Sequence, residues 1–177
     1  MSVAQRFQPR VPDDFDVTRP NIARINNYLL FGKDHFAVDR AVADELAAAG
    51  IEPRQLALAN RAFLRRAVRA VANRGVGQFL DLGCGLPTPP TVDEVARQVN
   101  ADARVSYVDH DPARTAYKPT LTPFSVRTRE QITRFFDGFE LLEPGVACLT
   151  EWRPDTGTDR TPLKIPVLCG VGTLPSR

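Results

Sequence analysis

The chain has 177 residues, 43% of them hydrophobic, and 23 Lys and Arg against 21 Asp and Glu leave a formal charge of +2. That length holds one core of ordinary size, so a single domain is expected and two independent domains are not. The basic residues are spread without a block that could follow a phosphate backbone, which argues against nucleic acid as a partner.

In chain order, residues 1–17 are polar, proline-bearing and aperiodic and read as a flexible arm without an apolar leader. Pro20 suits a first helical turn, and Ile22, Ile25 and Leu29 recur at helical spacing, so a helix over about 20–31 is expected, closed by Gly32. Asp34 is placed to cap a second helix with the stripe Val38, Val42 and Leu46, ending at Gly50. Pro53 opens a third, with Leu56, Phe63, Leu64, Ala67, Val68 and Val71 on one side and Arg61, Arg65, Arg66 and Arg69 left to water.

After Gly75 and Gly77 the pattern changes. "QFLDL" reads as a buried strand bounded by glycines, "TVDEVARQV" as a helix and "RVSYVD" as a second strand, together one right-handed βαβ unit with parallel strands. Beyond Pro112 a proline-bearing linker leads to Thr128 and Gln131, a capping-box pair for a short helix that brings Phe135, Phe136 and Phe139 toward the core. Two strand-like segments, "FELLEPGVACLTEW" and "LKIPVLCGVGTL", complete the chain.

The turn "DLGCGLPT" carries the chemistry. Gly83 and Gly85 let a ligand approach the backbone, and the helix that follows offers its first N–H groups. A dinucleotide site wants G-x-G-x-x-G, but the third position here is Thr88; a phosphate loop wants Gly-Lys-Ser/Thr after the turn, and none follows. Asp109 ends the second strand 26 residues after Gly83, where a carboxylate can accept from both hydroxyls of a ribose. Two glycines without a phosphate grip, plus that carboxylate, suit the phosphate-free nucleoside S-adenosylmethionine; a dinucleotide and a purely structural turn are the other readings. Cys84 beside the turn lacks a paired base, so it reads as a small residue that permits close packing. The three cysteines form no CxxC and His35 and His110 have no second ligand at metal spacing, so reduced thiols and no metal site are expected.

The succession "RPNIARINNYLLFGKDHFAVDRAVA", "NRAFLRRAVR", "QFLDLGCGLPT", "RVSYVDHDP" and "RFFDGFELLEPGVACLTEWRPD" resembles a family of actinobacterial-type S-adenosylmethionine-dependent methyltransferases, formerly a domain of unknown function. The resemblance implies an α/β, Rossmann-like class I methyltransferase fold with an N-terminal helical lid. Residues 18–74 would be the lid, 75–112 the cofactor-binding βαβ unit and 113–177 the linker, late helix and C-terminal strands of one domain. It further implies that Asp81, Gly83, Cys84 and Gly85 line the methionine side of the cofactor, that Asp109 holds the ribose, and that His110 and Asp111 lie beside the adenine. Tyr28, Lys33 and Asp34 would cover the cofactor from the lid. The residues alone also allow these three to be helix-end features, and Asn60 and Arg61 to be packing or surface residues. The catalytic base is unassigned. The implied activity is methyl transfer to an unidentified small-molecule acceptor; the alternative is a cofactor-binding remnant or partner subunit without transfer.

In such relatives a long segment carrying the third to fifth strands follows the second strand, whereas this chain passes from Asp111–Pro112 almost directly to the late helix. The sheet is therefore expected to be short. The C-terminal strands, about 139–172, are expected to pair with the first strand in a sheet of about four, and an edge left open would admit a homodimer. No stretch approaches the roughly 18 apolar residues of a membrane span, so a cytoplasmic protein without membrane contact is expected.

Overall fold

A computed structural model of the chain describes residues 16–109, 127–155 and 161–175. Its elements are α1 (Ile22–Leu29), α2 (Ala37–Ala48), α3 (Pro53–Ala72), β1 (Gln78–Leu82), α4 (Val92–Arg97), β2 (Arg104–Val108) and α5 (Arg129–Thr133) with a 3₁₀ turn at Arg134–Phe136. Four two-residue strands follow: β3 (Glu140–Leu141), β4 (Ala147–Cys148), β5 (Leu168–Cys169) and β6 (Gly172–Thr173).

Helix α3 is the spine. Pro53 stands in its first turn, where a missing N–H costs nothing, and its 20 residues run about 30 Å. Three apolar clusters use different sides of it. Ala57 joins Ile25, Leu29 and Ala43 of the first two helices. Leu64 and Val68 meet Val92, Val95 and Ala96 of α4 and Phe79 and Val105 of the sheet. Leu56, Phe63, Ala67 and Val71 meet Leu142, Leu149, Trp152 and Cys169 of the C-terminal segment. With burial on three sides the expected arginine face toward water does not form: Arg66 is only 4% exposed and donates to the carbonyls of Trp152, at 2.8 Å, and Leu149.

The first two helices meet around an ion pair. Asp39, fully buried on α2, takes Arg24 Nε at 2.9 Å and the N–H groups of Asn21 and Phe36 at 2.9 and 2.8 Å. Asp39 therefore secures the start of α2, not Asp34 as expected. The end of α1 also differs. Phe31 takes the left-handed conformation (φ 62°), and Gly32 is required for space, since a Cβ there would overlap the Asn27 amide. The buried Asn27 Oδ1 in turn accepts the Asp34 N–H at 2.9 Å.

Strands β1 and β2 pair in parallel, Leu80 opposite Ser106 and Asp81 opposite Tyr107. Phe79 and Val105 pack on the helices. The other face does not become a core: Leu80 is 61%, Leu82 70% and Val108 48% exposed. Among the described residues this sheet has two strands, and the C-terminal strands pair with one another, β3 with β6 and β4 with β5, both antiparallel. The expected joining of those strands to β1 is overturned. The physical reason lies in cluster packing: Leu142, Leu149 and Trp152 find their apolar partners on α3, which holds the segment there. Bonds from Arg104 N–H to the Gly77 carbonyl and from Gly83 N–H to the Val108 carbonyl turn the odd-numbered backbone groups of β1 toward β2. By alternation, those of Gln78, Leu80 and Leu82 face an edge no described strand covers. Phe135 and Phe139, expected in the core, are 66% and 45% exposed; the backbone of Gly170 and Gly172 takes the Phe136 ring closely and leaves Phe135 outside. Among the described residues no helix is long and apolar enough to cross a membrane.

Candidate functional site

The glycine turn sits between β1 and α4. Gly83 and Gly85 have φ of 74° and 62°, a region where a Cβ collides with the following carbonyl, so both positions call for glycine. Gly83 faces open space: a Cβ built there meets nothing within 4 Å. At Gly85 the same atom would come 3.6 Å from the Ala23 methyl, so α1 lies over the turn.

Two carboxylates frame it. Asp109, just past β2, accepts the Gly85 N–H on Oδ2 at 2.6 Å, which fixes the end of one strand to the turn after the other. Asp81 is the next-to-last residue of β1, on its helix-packed face, opposite Tyr107. Cys84 registers this setting: its thiol is pushed above the ordinary range by burial first, then by the negative charge of Asp109 and Asp81. A neutral thiol is a poor nucleophile, so Cys84 is expected to react with iodoacetamide at pH 8 more slowly than a free cysteine. Peptide mass spectrometry after timed quenching checks this, and alkylation as fast as that of free cysteine would show that the charged surroundings are misassigned.

Helix α4 is capped by Thr91, whose N–H reaches Glu94 at 2.8 Å and whose hydroxyl reaches Asp93 at 2.6 Å. Tyr107 donates its hydroxyl to Asp93 and accepts the Asp93 N–H at 3.0 Å. Burial and the bond to Asp93 push the phenol upward, so Tyr107 serves as a fastening for α4, not as a base. Arg61 of α3 donates to the carbonyls of Thr88 and Pro90, the latter at 2.7 Å.

The structure thus brings Asp81, Gly83, Cys84, Gly85 and Asp109 together. His110 and Asp111 lie outside the described residues. Tyr28 stands five residues beyond Ala23, about 7.5 Å along the helix and turned well away from it; its ring meets His35 edge-on at 4.9 Å and the Arg54 guanidinium at 5.2 Å. Asp34 is tied to Asn27 through its N–H, and Lys33 is exposed. The sequence did not single out Ala23, because only the three-dimensional packing of α1 reveals its approach to the turn. A cavity of about 610 Å³ lies between the first three helices, lined by Tyr28, Asp44, Arg54 and Lys164, and includes none of the turn residues. Among the described residues no group of three His, Cys, Asp or Glu stands together as a metal site.

The family model described as S-adenosyl methyltransferase matches residues 8–121 and 113–175. Among solved structures, the chain is similar to a candidate methyltransferase from Thermobifida fusca YX, at 29% identity and a TM-score of 0.77 over 96% of this chain and 100% of that one. It is also similar to a DUF574 family protein from Streptomyces avermitilis MA-4680, at 22% identity and a TM-score of 0.72 over 91% and 100%, a likeness of fold. No curated protein matches it. The chain belongs to the S-adenosyl methyltransferase family, and its cofactor is S-adenosylmethionine.

Proposed function

We propose that the chain binds S-adenosylmethionine on the turn between β1 and α4 and transfers its methyl group to a small-molecule acceptor. The observation that carries this reading is a glycine turn framed by two carboxylates, Asp81 and Asp109, whose negative field reaches Cys84 between them. Such a frame repels a pyrophosphate and suits a ligand with a cationic centre. The residues fit the group in detail. Gly83 leaves open space beside the backbone, and Asp109, with Oδ2 on the Gly85 N–H, keeps Oδ1 for ribose hydroxyls. Bound there, the cofactor supplies a methyl group on a positively charged sulfur. The chain's own work is to orient that group: Asp81 and the turn hold the amino-acid end and Asp109 the sugar. Positioning of this kind lowers the entropy cost of a two-reactant step. In this reading β1, α4 and β2 open a Rossmann-like class I sheet, with the N-terminal helices as its lid.

Asp109→Ala is expected to weaken binding of S-adenosylhomocysteine by roughly 1.5–3 kcal/mol, the worth of hydrogen bonds to a charged acceptor. Titration calorimetry against S-adenosylhomocysteine and NAD measures this; unchanged affinity in the variant, or preference for NAD, would count against the assignment.

One observation favours a second reading, a cofactor-binding partner subunit without transfer activity of its own. The face with Leu80, Leu82 and Val108 is exposed and the outer edge of β1 has no partner among the described residues, a surface that a second polypeptide, including another copy of this chain, would complete. S-adenosylhomocysteine release by the isolated chain, in a broad acceptor screen with its mass followed by light scattering, separates the two readings.

A further inference from the structure

We propose that Arg61 is the positioning residue of the cofactor turn, holding the Thr88–Pro90 segment from α3 so that Gly83 to Gly85 present a fixed surface to the amino-acid end of the cofactor. The inference rests on the S-adenosylmethionine reading above.

It starts from the composition of the turn. "GLPTPPT" contains Pro87, Pro89 and Pro90, none with an N–H to donate. The Thr88 hydroxyl meets the Leu86 carbonyl at 3.3 Å, but a loop so poor in donors leaves the carbonyls of Thr88 and Pro90 to be met from elsewhere. Arg61 meets that need with Nη2 on the carbonyls of both Thr88 and Pro90. Both bonds leave one nitrogen, whose two hydrogens serve one carbonyl each, while the planar guanidinium holds those donors in fixed directions.

The position carries costs that a surface arginine would avoid. Burial pulls the guanidinium below its ordinary range, opposed first by the charge of Asp81, and Nε is buried without an acceptor among the described residues. The side chain stays because the two carbonyls and Asp81 hold it there. The turn is then fastened at two points: Asp109 grips the Gly85 N–H from the strand side, and Arg61 grips the prolines from the helix side. Removing Arg61 leaves the strand-side grip intact, so the loss should fall on the amino-acid end of the ligand more than on its nucleoside end.

The experiment compares wild type, Arg61→Met, Arg61→Lys and Arg61→Ala by calorimetry with S-adenosylhomocysteine and with adenosine. Loss of a two-point charged contact is expected to weaken S-adenosylhomocysteine about tenfold or more in Arg61→Met, while adenosine changes less than about threefold because it lacks the amino-acid end. Arg61→Lys is expected to recover only part of the loss, and methylguanidinium added to Arg61→Ala to restore binding. Unchanged affinity in Arg61→Met, or equal losses for the two ligands, overturns the inference. If Arg61→Met fails to fold, the split between ligands in Arg61→Lys decides. Wild-type protein that binds no S-adenosylhomocysteine overturns the cofactor reading itself, and this inference with it.

Discussion

Asp39→Ala is expected to cost about 3–5 kcal/mol of stability, the penalty for removing one partner of a buried ion pair, and to weaken cofactor binding as well. Asp39 is fully buried and serves three donors at once, Arg24 Nε and the N–H groups of Asn21 and Phe36. The alanine takes a buried carboxylate away from the Arg24 guanidinium, itself 6% exposed, in a region of low dielectric. A second cost follows at each helix start. Asn21 is the N-cap of α1 and Phe36 that of α2, so one carboxylate orders both. Because α1 carries Ala23 over Gly85, loosening that corner should also reach the cofactor turn. Asp39→Asn keeps the shape and one acceptor oxygen and should cost less than the alanine. Urea denaturation measures stability, and calorimetry with S-adenosylhomocysteine measures the turn. A loss under about 1 kcal/mol for the alanine, within the ordinary range of an exposed ion pair, would mean that the pair is open to water.

The parts of this structure that the sequence announces are those decided within a few residues. Pro53 marks the start of α3, Thr128 and Gln131 form the expected capping box of α5, and Gly83 and Gly85 take the positive φ that their pattern suggests. The first strand of the βαβ unit has the anticipated bounds, the second stops one residue early at Val108, and both run in the anticipated direction, because short apolar runs define them locally. What failed was whatever depends on a distant partner. Asp34 reads as the cap from its place before the helix; the buried Arg24 decides for Asp39. Arg66 reads as a water-facing residue until Trp152 and Leu149 present carbonyls to it from 83 or more positions away. Leu80 and Leu82 read as core because the strand is apolar, but a strand has two faces and only a neighbour decides whether both are covered. The glycine turn was legible and the arginine behind it was not, for the same reason.

Trp152→Ala carries the other large expected effect, about 3–5 kcal/mol for an aromatic side chain deleted from a packed core, and it should act locally before it acts globally. Among its described residues the C-terminal segment has four strands of two residues each, too short to stand by pairing alone. It is held instead by apolar contact with α3, and Trp152 is the centre of that contact. Its ring is fully buried, meets Phe63 of α3 edge-on at 5.5 Å, and packs with Leu142, Ala147, Leu149 and Cys169. Its carbonyl accepts Arg66 Nε at 2.8 Å, so ring and backbone fasten the same point to the same helix. Cys169 shows how dry the cluster is: burial pushes its thiol up to about 12. Removing the indole opens a cavity among residues that short strands cannot draw closed, so residues 140–155 and 161–173 should lose amide protection while β1 and β2 keep theirs, their core being made with Leu64, Val68 and α4 on another side of the same helix. Trp152→Phe should cost far less, since it retains the edge-to-face contact and removes an Nε1–H that has no acceptor among the described residues. Hydrogen exchange read by mass spectrometry distinguishes the outcomes. Equal loss of protection in the C-terminal segment and in β1 and β2 would mean that the clusters around α3 open together, and that the cofactor turn cannot stay formed when the C-terminal strands come away.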